Sequence, residues 1–502
     1  MLNFDYNNHE IWFVTGAQLL YGGDAVKHVD AHSNEMVKGL NDSEKLPVKV
    51  VYKGTVNSSK EVTATMKAAN NDEKCIGVMT WMHTFSPAKM WIHGLQELKK
   101  PLLHFHTQFN REIPWDTMDM DFMNLNQSAH GDREFGHIVS RMRKACKVVV
   151  GHWQDPKAQQ KIAVWQRVCA GWADAQSMLL IRLGDQMNNV AVTDGDKVEA
   201  EMRLGYHVDF ANIATVRDYQ SDVTDAQVKE LVEVYKKEYD CSAIKEGSLE
   251  YGQVVKAARI EVALRRLLKE TGAKAFTTHF DNLDGIDQLP GLACQRLMAE
   301  GYGFGAEGDW KTAALCRTMY VMGQGLPKGC SFLEDYTLNF DGENSAILQA
   351  HMLEISPMIS EHKPKLEVHK LGIGGKNAPA RLVFTSKQGE GVASTVVDMG
   401  NRFRLIVNKV DCIKSKPLPK LPVASALWMP RPNFEVGAAA WIIGGGTHHS
   451  AFSYDLTVEY WQDYAEIAGI EMLVIDENTT IDSFKKDLRI NEVYYMLNKA
   501  LQ

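Results

Sequence analysis

Hydrophobic positions in the first third of the chain come as short solid runs, each followed by a stretch with helical spacing. "IWFVTG" leads into "DAVKHVDAHSNEMVKGL", "VKVVYKG" into "SSKEVTATMKAAN", and "CIGVMTWM" into "SPAKMWIHGLQEL"; "PLLHFHT" and "KVVVGHW" add further runs. Solid apolar runs alternating with amphipathic segments predict a parallel sheet covered by helices. A second such cycle opens at "MLLIRLGD" and passes through "GQVVKAARIEVALRRLLKETG", "AFTTHF", "YGFGAEG" and "DWKTAALCRTMYVM". Within it, Asp194-Gly195 in "NNVAVTDGDKVEAEMRLGY" predicts a hairpin turn.

Past residue 328 the texture changes. "CSFLEDYTLNF", "SAILQAHMLEI", "KLEVHKLGI", "ARLVFTS", "GVASTVVDMG" and "RFRLIVNKVDCI" are strand-like with few helical candidates between them, which predicts an antiparallel sheet or barrel. The chain closes on helix-like "VEYWQDYAEIAGI", a strand "EMLVID" and helix-like "NEVYYMLNKAL". The expected organisation is two α/β domains, 1–176 and 177–328, and a mainly antiparallel β domain with terminal helices, 329–502.

Composition narrows the function classes. A chain of 502 residues is long for a single core. Its net charge of −8 gives no footprint for nucleic acid or an anionic membrane surface. No apolar run reaches the roughly 18 residues of a membrane helix, and "MLNFDYNNHEIWFV" lacks the pattern of a secretory signal. Eight scattered cysteines without a CxxC pair fit reduced thiols in a cytoplasmic protein.

Candidate chemistry is spread over the second half. Gly303, Gly305 and Gly308 satisfy GxGxxG, but Glu307 and Asp309 would sit where a pyrophosphate needs N–H donors and would repel it. The glycines suit room around a functional Glu307, or a plain turn with Asp309 capping the next helix. Glu334 lies in an apolar strand on one face with Phe332 and Tyr336; a carboxylate there must be paired or bound if buried. His351 and Glu354 in "HMLE" point to opposite faces if that segment is a strand. By the same alternation His448 and His449 in "GGGTHHS" face opposite ways, so one at most joins a given site. Two glutamates and two histidines would make a mixed oxygen and nitrogen set suited to Mn²⁺, Co²⁺ or Fe²⁺ rather than structural zinc. By spacing alone, these residues fit core and surface polar positions as readily. "TGAQLLYGG" and "WMHTFSPAKMW" follow strands, where α/β domains place ligand loops. "NLNQSAHGDREFG" is either a polar loop or a ligand-binding one, and "LGIGGK" (371–376) lacks the rest of a phosphate-loop pattern.

Taken together, these segments resemble the bacterial L-arabinose isomerase family nearly end to end. The blocks include "WFVTGAQLLYG", "HTFSPAKMW", "FHTQFN", "PWDTMDMDFMNLNQSAHGDREFG", "LPGLACQRLMAEGYGFGAEGDWKTAAL", "SFLEDYT", "LPKLPVASALW" and "GGGTHHS". The resemblance implies two Rossmann-like α/β domains followed by a mainly antiparallel β-barrel domain. It implies Mn²⁺, with Co²⁺ as a substitute, held by Glu307, Glu334, His351 and His449, with Glu307 and Glu334 also catalytic. It further implies a sugar pocket of Gln18, Leu20, Tyr21, Phe85, His130, Met187 and Phe280. Leu19 departs from the pattern, since many members carry His there. The implied assembly is a homohexamer or another trimer-based homo-oligomer in which one copy's N-terminal domain completes a neighbour's site.

The reaction this implies is conversion of L-arabinose to L-ribulose through an enediol(ate), with D-galactose to D-tagatose as a slower side reaction, in L-arabinose catabolism. No nucleotide cofactor is needed, because the oxidation states trade places within one molecule. An isomerase for L-fucose or another aldose, and a sugar-binding protein without turnover, are the rival readings. A dinucleotide-dependent oxidoreductase is disfavoured by the carboxylates in the glycine motif.

Overall fold

The computed structural model describes residues 1–371 and 375–500; the side chains of Tyr21 and of residues 498–500 are outside the described set. The chain divides into two compact units. One comprises Phe4–Ala173 with Gln462–Gly469; the other comprises Met1–Asn3, Asp174–Trp461 and Ile470–Gln502. Among the described residues, no helix is long and apolar enough to cross a membrane.

The first unit is built on β1 (Glu10–Gly16), β2 (Lys49–Val56), β3 (Cys75–Met82), β4 (Leu102–His106) and β5 (Lys147–Val150). These form one parallel sheet in the order β2-β1-β3-β4-β5. All eight residues of β3 are buried, as expected of a parallel strand covered on both faces. The helix Gly23–Asp42 buries Val29, Ser33, Met36, Val37 and Leu40, one stripe at helical spacing. Trp91, Phe135, Leu95 and Val62 pack with β1 and β3 residues into the core on one face of the sheet.

The second unit repeats this topology. β6 (Leu179–Leu183), β7 (His207–Ala211), β8 (Ala275–Thr278) and β9 (Gly303–Ala306) form a parallel sheet in the order β7-β6-β8-β9. In both sheets the second strand lies outside the first, and the third lies on its other side. The order therefore reverses between β1 and β3, and again between β6 and β8, and that reversal opens a crevice at the strands' carboxyl ends.

The same unit then adds β10 (Cys330–Asn339), β11 (Ala346–Ala350), the ribbon of β12 (Lys365–Val368) and β13 (Ala380–Val383), β14 (Gly389–Asp398), β15 (Phe403–Cys412), β16 (Ser425–Pro430), β17 (His449–Ser453) and β18 (Glu471–Ile475). A seven-stranded sheet runs β14-β17-β10-β11-β16-β15-β18, and the further β14–β15 pairing closes all but β18 into an antiparallel barrel. β15 pairs with β18 through Arg404–Asn408 and with β16 through Val410–Cys412, so one long strand serves both the closure and the added edge. Closure leaves those six strands without an open edge. The helix Trp310–Gly323 is buried on every side from Trp310 to Met322 and packs against β8 and β9 as well as β10, β14 and β17. It joins sheet and barrel, and the candidate site gathers at its start.

Two expectations are corrected here, and one helix was not foreseen. Asp194-Gly195 forms no hairpin; the next residue, Asp196, accepts from the Val198 and Glu199 N–H groups and caps the helix Lys197–Leu204. "NLNQSAHGDREFG" is no loop beyond Gln127, because Ser128–Arg141 is a helix burying Ser128, Gly131, Asp132, Phe135 and Val139. The apolar, glycine-containing Phe434–Gly444 is also a helix, capped by Asn433.

Candidate metal centre and sugar pocket

β9 ends at Ala306, and the next three residues turn sharply. Glu307 has φ of +61°, a left-handed conformation that side chains other than glycine seldom adopt. Asp309 then caps the buried helix, its carboxylate accepting from the Thr312 N–H at 3.1 Å and the Thr312 hydroxyl at 2.7 Å. A Cβ on Gly305 would stand 2.3 Å from the Asp309 carbonyl oxygen, so glycine is what lets the strand lie this close to the helix start. The glycine motif therefore does both things the sequence allowed: it makes room at Glu307 and it permits the cap.

The barrel supplies the other groups. Glu334 on β10 is the direct cross-strand partner of His449 on β17, which places both side chains on one face. β11 stops at Ala350, and His351 follows it outside the ladder. His351 Nε2 lies 3.7 Å from Glu334 Oε2, and His449 Nε2 lies 3.8 Å from Glu307 Oε2. Ligating atoms of Glu307, His351 and His449 lie within 4.8 Å of one another, as do those of Glu334, His448 and His449. A cation bound at about 2.1 Å separates neighbouring ligand atoms by about 3 Å and opposed ones by about 4.2 Å; the 3.7 and 3.8 Å separations fall within that range, and the two groups share His449. His449 Nε2 is buried with no hydrogen-bond partner, the state of a nitrogen lone pair waiting for an electrophile.

Both alternation arguments fail locally. β17 begins only at His449, so His448 precedes the strand, and its Nε2 stands 3.5 Å from the same Glu307 oxygen that faces His449. The two imidazoles look at one carboxylate from rings 4.2 Å apart. His351 and Glu354 likewise meet, Nδ1 to Oε2 at 2.5 Å, because the segment is a turn and not a strand.

Electrostatics separates the groups. The contact with His448 holds Glu307 below its ordinary value against the opposing effect of burial, and raises His448 in return. Burial pushes Glu334 up and His449 down. Burial also opposes ionisation of Asp309, but the hydrogen bond from His449 and the charge of Lys311 win and hold it low. For His351, burial works against the charged form, but the charge and hydrogen bond of Glu354, with the charges of Glu334 and Glu307, together raise it.

Comparison with known proteins accounts for this combination of folds and side chains. Residues 5–177 match the family model for the L-arabinose isomerase N-terminal domain, 179–325 the central domain and 329–471 the C-terminal domain. The L-arabinose isomerase of Phocaeicola vulgatus is 73% identical over 504 residues, covering 99% of each chain. The chain belongs to the L-arabinose isomerase family. The Bacteroides thetaiotaomicron L-arabinose isomerase is 72% identical over the full length of both chains, and that of Thermotoga petrophila 51% identical over 99% of each.

Of the residues the resemblance implies for a sugar pocket, Met187 and Phe280 lie in the second unit and Gln18, Leu20, Tyr21, Phe85 and His130 in the first. Met187 follows β6 and Phe280 follows β8. The Met187 N–H donates to the Glu307 carbonyl at 3.2 Å, and the Phe280 ring stacks on His351 at 5.9 Å, so both adjoin the glutamate and histidine cluster. In the first unit, Gln18 and Leu20 follow β1, and Phe85 follows β3. His130 comes from the helix Ser128–Arg141, its ring stacked on Phe85 at 4.3 Å. Leu20 is exposed, and Gln18 has a buried Nε2 without a hydrogen-bond partner. Tyr21 lies in the short helical turn Leu19–Tyr21, with its side chain outside the described residues. Of "LGIGGK", residues 372–374 are also outside them.

Two participants are not visible from the sequence: alternation turns His448 away from the site, and nothing local shows that Asp309 Oδ2 also lies 3.0 Å from His449 Nδ1. The one available signal was the proximity of Asp309 to Glu307 in sequence, which alternation cannot convert into a contact with a residue so far along the chain.

Proposed function

We propose that this chain is a metal-dependent aldose–ketose isomerase that converts L-arabinose to L-ribulose. The observation that carries the reading is the convergence of Glu307, Glu334, His351 and His449 in a chain 73% identical end to end to an L-arabinose isomerase. Two carboxylates and two imidazoles, one of them with a buried unpartnered nitrogen, fit a divalent cation such as Mn²⁺, with Co²⁺ as a substitute. When bound, the cation supplies Lewis-acid polarisation of the sugar's O1 and O2.

The chain's own residues do the proton work. The C2 hydrogen of an aldose is a weak acid, so a carboxylate must be held within reach of it. Glu307 and Glu334 are the pair for this. One takes the C2 proton, and the C–H electrons become the C1–C2 double bond as the C1 carbonyl oxygen gains a proton. The proton is then returned to C1, while O2 loses its proton and becomes the ketose carbonyl. Atoms and electrons balance within the sugar. Phe280, packed on His351, and Met187, tied to the Glu307 backbone, form an apolar wall that orients the ring-opened chain. In the proposed oligomer, the N-terminal domain of a neighbouring copy, which carries Gln18, Leu20, Tyr21, Phe85 and His130, supplies the rest of the sugar pocket.

The reading extends to D-galactose, which shares the C2 to C4 configuration of L-arabinose, as a slower substrate giving D-tagatose. It also includes a cytoplasmic role in L-arabinose catabolism and a homohexamer or another trimer-based homo-oligomer. Incubating the Mn²⁺-loaded protein with L-arabinose, D-galactose and L-fucose in deuterated water tests it. L-Ribulose carrying solvent deuterium at C1, formed faster than D-tagatose or any L-fucose product, is expected. Turnover of L-fucose alone, or ketose with no solvent label at any extent of reaction, would overturn the substrate or the enediol route respectively.

A further inference from the structure

The two histidines expected to hold the cation share an arrangement built from different parts of the fold. His449 Nδ1 lies 3.0 Å from Asp309 Oδ2, with both side chains fully buried. His351 Nδ1 lies 2.5 Å from Glu354 Oε2, and both are again buried. Each carboxylate is itself fixed. Asp309 accepts from the Thr312 N–H and hydroxyl, and Glu354 accepts from the Leu353 N–H at 3.0 Å. An ionised carboxylate is an acceptor only, so the imidazole proton must sit on Nδ1 in both rings. The lone pair is then left on Nε2, the atom that faces Glu307 in one case and Glu334 in the other.

His448 lacks this arrangement. Its Nε2 reaches Glu307, it is partly exposed, and among the described residues no carboxylate pairs with its Nδ1. Of two adjacent histidines facing one glutamate, only His449 has its tautomer and ring orientation fixed from behind.

We propose that Asp309 and Glu354 are positioning residues, each locking one histidine so that both Nε2 lone pairs converge on the divalent cation. The proposal rests on the metal-dependent reading above. Asp309 adds a mechanical link, since the carboxylate that orients His449 also caps the buried helix Trp310–Gly323 and ties the barrel's ligand to the turn carrying Glu307.

The test is calorimetric titration of Mn²⁺ into the chelator-stripped full chain, with thermal unfolding of each metal-free form. The forms are wild type, Asp309→Asn, Glu354→Gln, Thr312→Val and His449→Ala. Asn caps helices as well as Asp, so Asp309→Asn keeps the helix start, and Glu354→Gln tests the second pair independently of any cap. Mn²⁺ affinity is expected to fall about 10- to 100-fold in Asp309→Asn and Glu354→Gln, the usual effect of removing such a partner. Their metal-free Tm should stay near wild type and their kcat should largely recover at saturating Mn²⁺. Thr312→Val, which keeps the Thr312 N–H bond to Asp309 Oδ1 and removes only the hydroxyl bond to Oδ2, should lower affinity less than Asp309→Asn. Unchanged affinity in both carboxylate variants, with binding lost in His449→Ala, overturns this inference and leaves the isomerase reading standing. Absence of Mn²⁺ binding by the wild type overturns both.

Discussion

Glu307 is where residue-scale reasoning from sequence and from structure part company most usefully. Its acidic side chain in a glycine-rich turn was visible as chemistry, but its positive φ and its two histidine neighbours were not. Strand alternation fails within one or two residues of a strand's end, and both His448 and His351 lie just there. The family resemblance, not the periodicity, singled out His449. His448 instead holds Glu307 in its ionised form. His449→Ala is expected to abolish Mn²⁺-restored ketose formation. His448→Ala should retain it at about one tenth of the wild-type rate, the cost of losing one hydrogen bond to a charged group. Equal loss in both variants, measured at saturating Mn²⁺, would mean that both imidazoles are ligands.

At the scale of elements, solid apolar runs identified the buried parallel strands because both faces of such strands are covered. The segments misjudged were those whose side chains answer to a local cap or a buried polar contact. Asp132 is an example: in a stretch that looked polar throughout, it is buried on the helix Ser128–Arg141, with Oδ1 accepting from the Met82 N–H at 3.1 Å and Oδ2 2.6 Å from His106 Nδ1. The close packing of β9 on the helix Trp310–Gly323 gives a prediction of its own. Gly305→Ala would place a methyl 2.3 Å from the Asp309 carbonyl oxygen and 2.9 Å from the Ala313 nitrogen, both backbone atoms that cannot rotate away. Thermal or denaturant unfolding should show a loss of about 1–3 kcal/mol, as for other overpacked interiors. Mn²⁺ affinity should fall as Asp309 is displaced. A variant as stable as wild type would show that strand and helix can separate at little cost.

On the scale of the whole molecule, the rhythm of runs foretold two parallel sheets and an antiparallel sheet or barrel, and the family resemblance chose the barrel that is observed. What stayed hidden was their repeated strand order and the convergence of β9, β10, β17 and the end of β11 on one place, since long-range pairing leaves no local mark. Global stability rests partly on buried ion pairs that the sequence could not match up. Asp174 is 2.8 Å from Arg317 Nε and 3.0 Å from Lys274 Nζ, and Arg317 also donates to the Leu2 and Gly301 carbonyls. Burial disfavours the Asp174 carboxylate, but the Arg317 and Lys274 charges prevail and hold its pKa below the ordinary 3.8. A depressed carboxylate stabilises the fold above its unfolded pKa and loses that contribution as pH falls through the folded one. Asp174→Asn should therefore be less stable than wild type at neutral pH by about 3 kcal/mol. The gap should narrow only below about pH 4, as read from Tm at a series of pH values. A gap that persists unchanged at lower pH would assign the effect to shape rather than charge.

The central claim is that four side chains from the turn after β9 and from the barrel bind a cation that this isomerase needs. The most direct measurement is L-ribulose formation from L-arabinose by chelator-stripped protein, before and after addition of Mn²⁺. Negligible ketose is expected without the metal, and restored turnover with it. Full activity in the stripped protein, or none with any divalent cation, would contradict it.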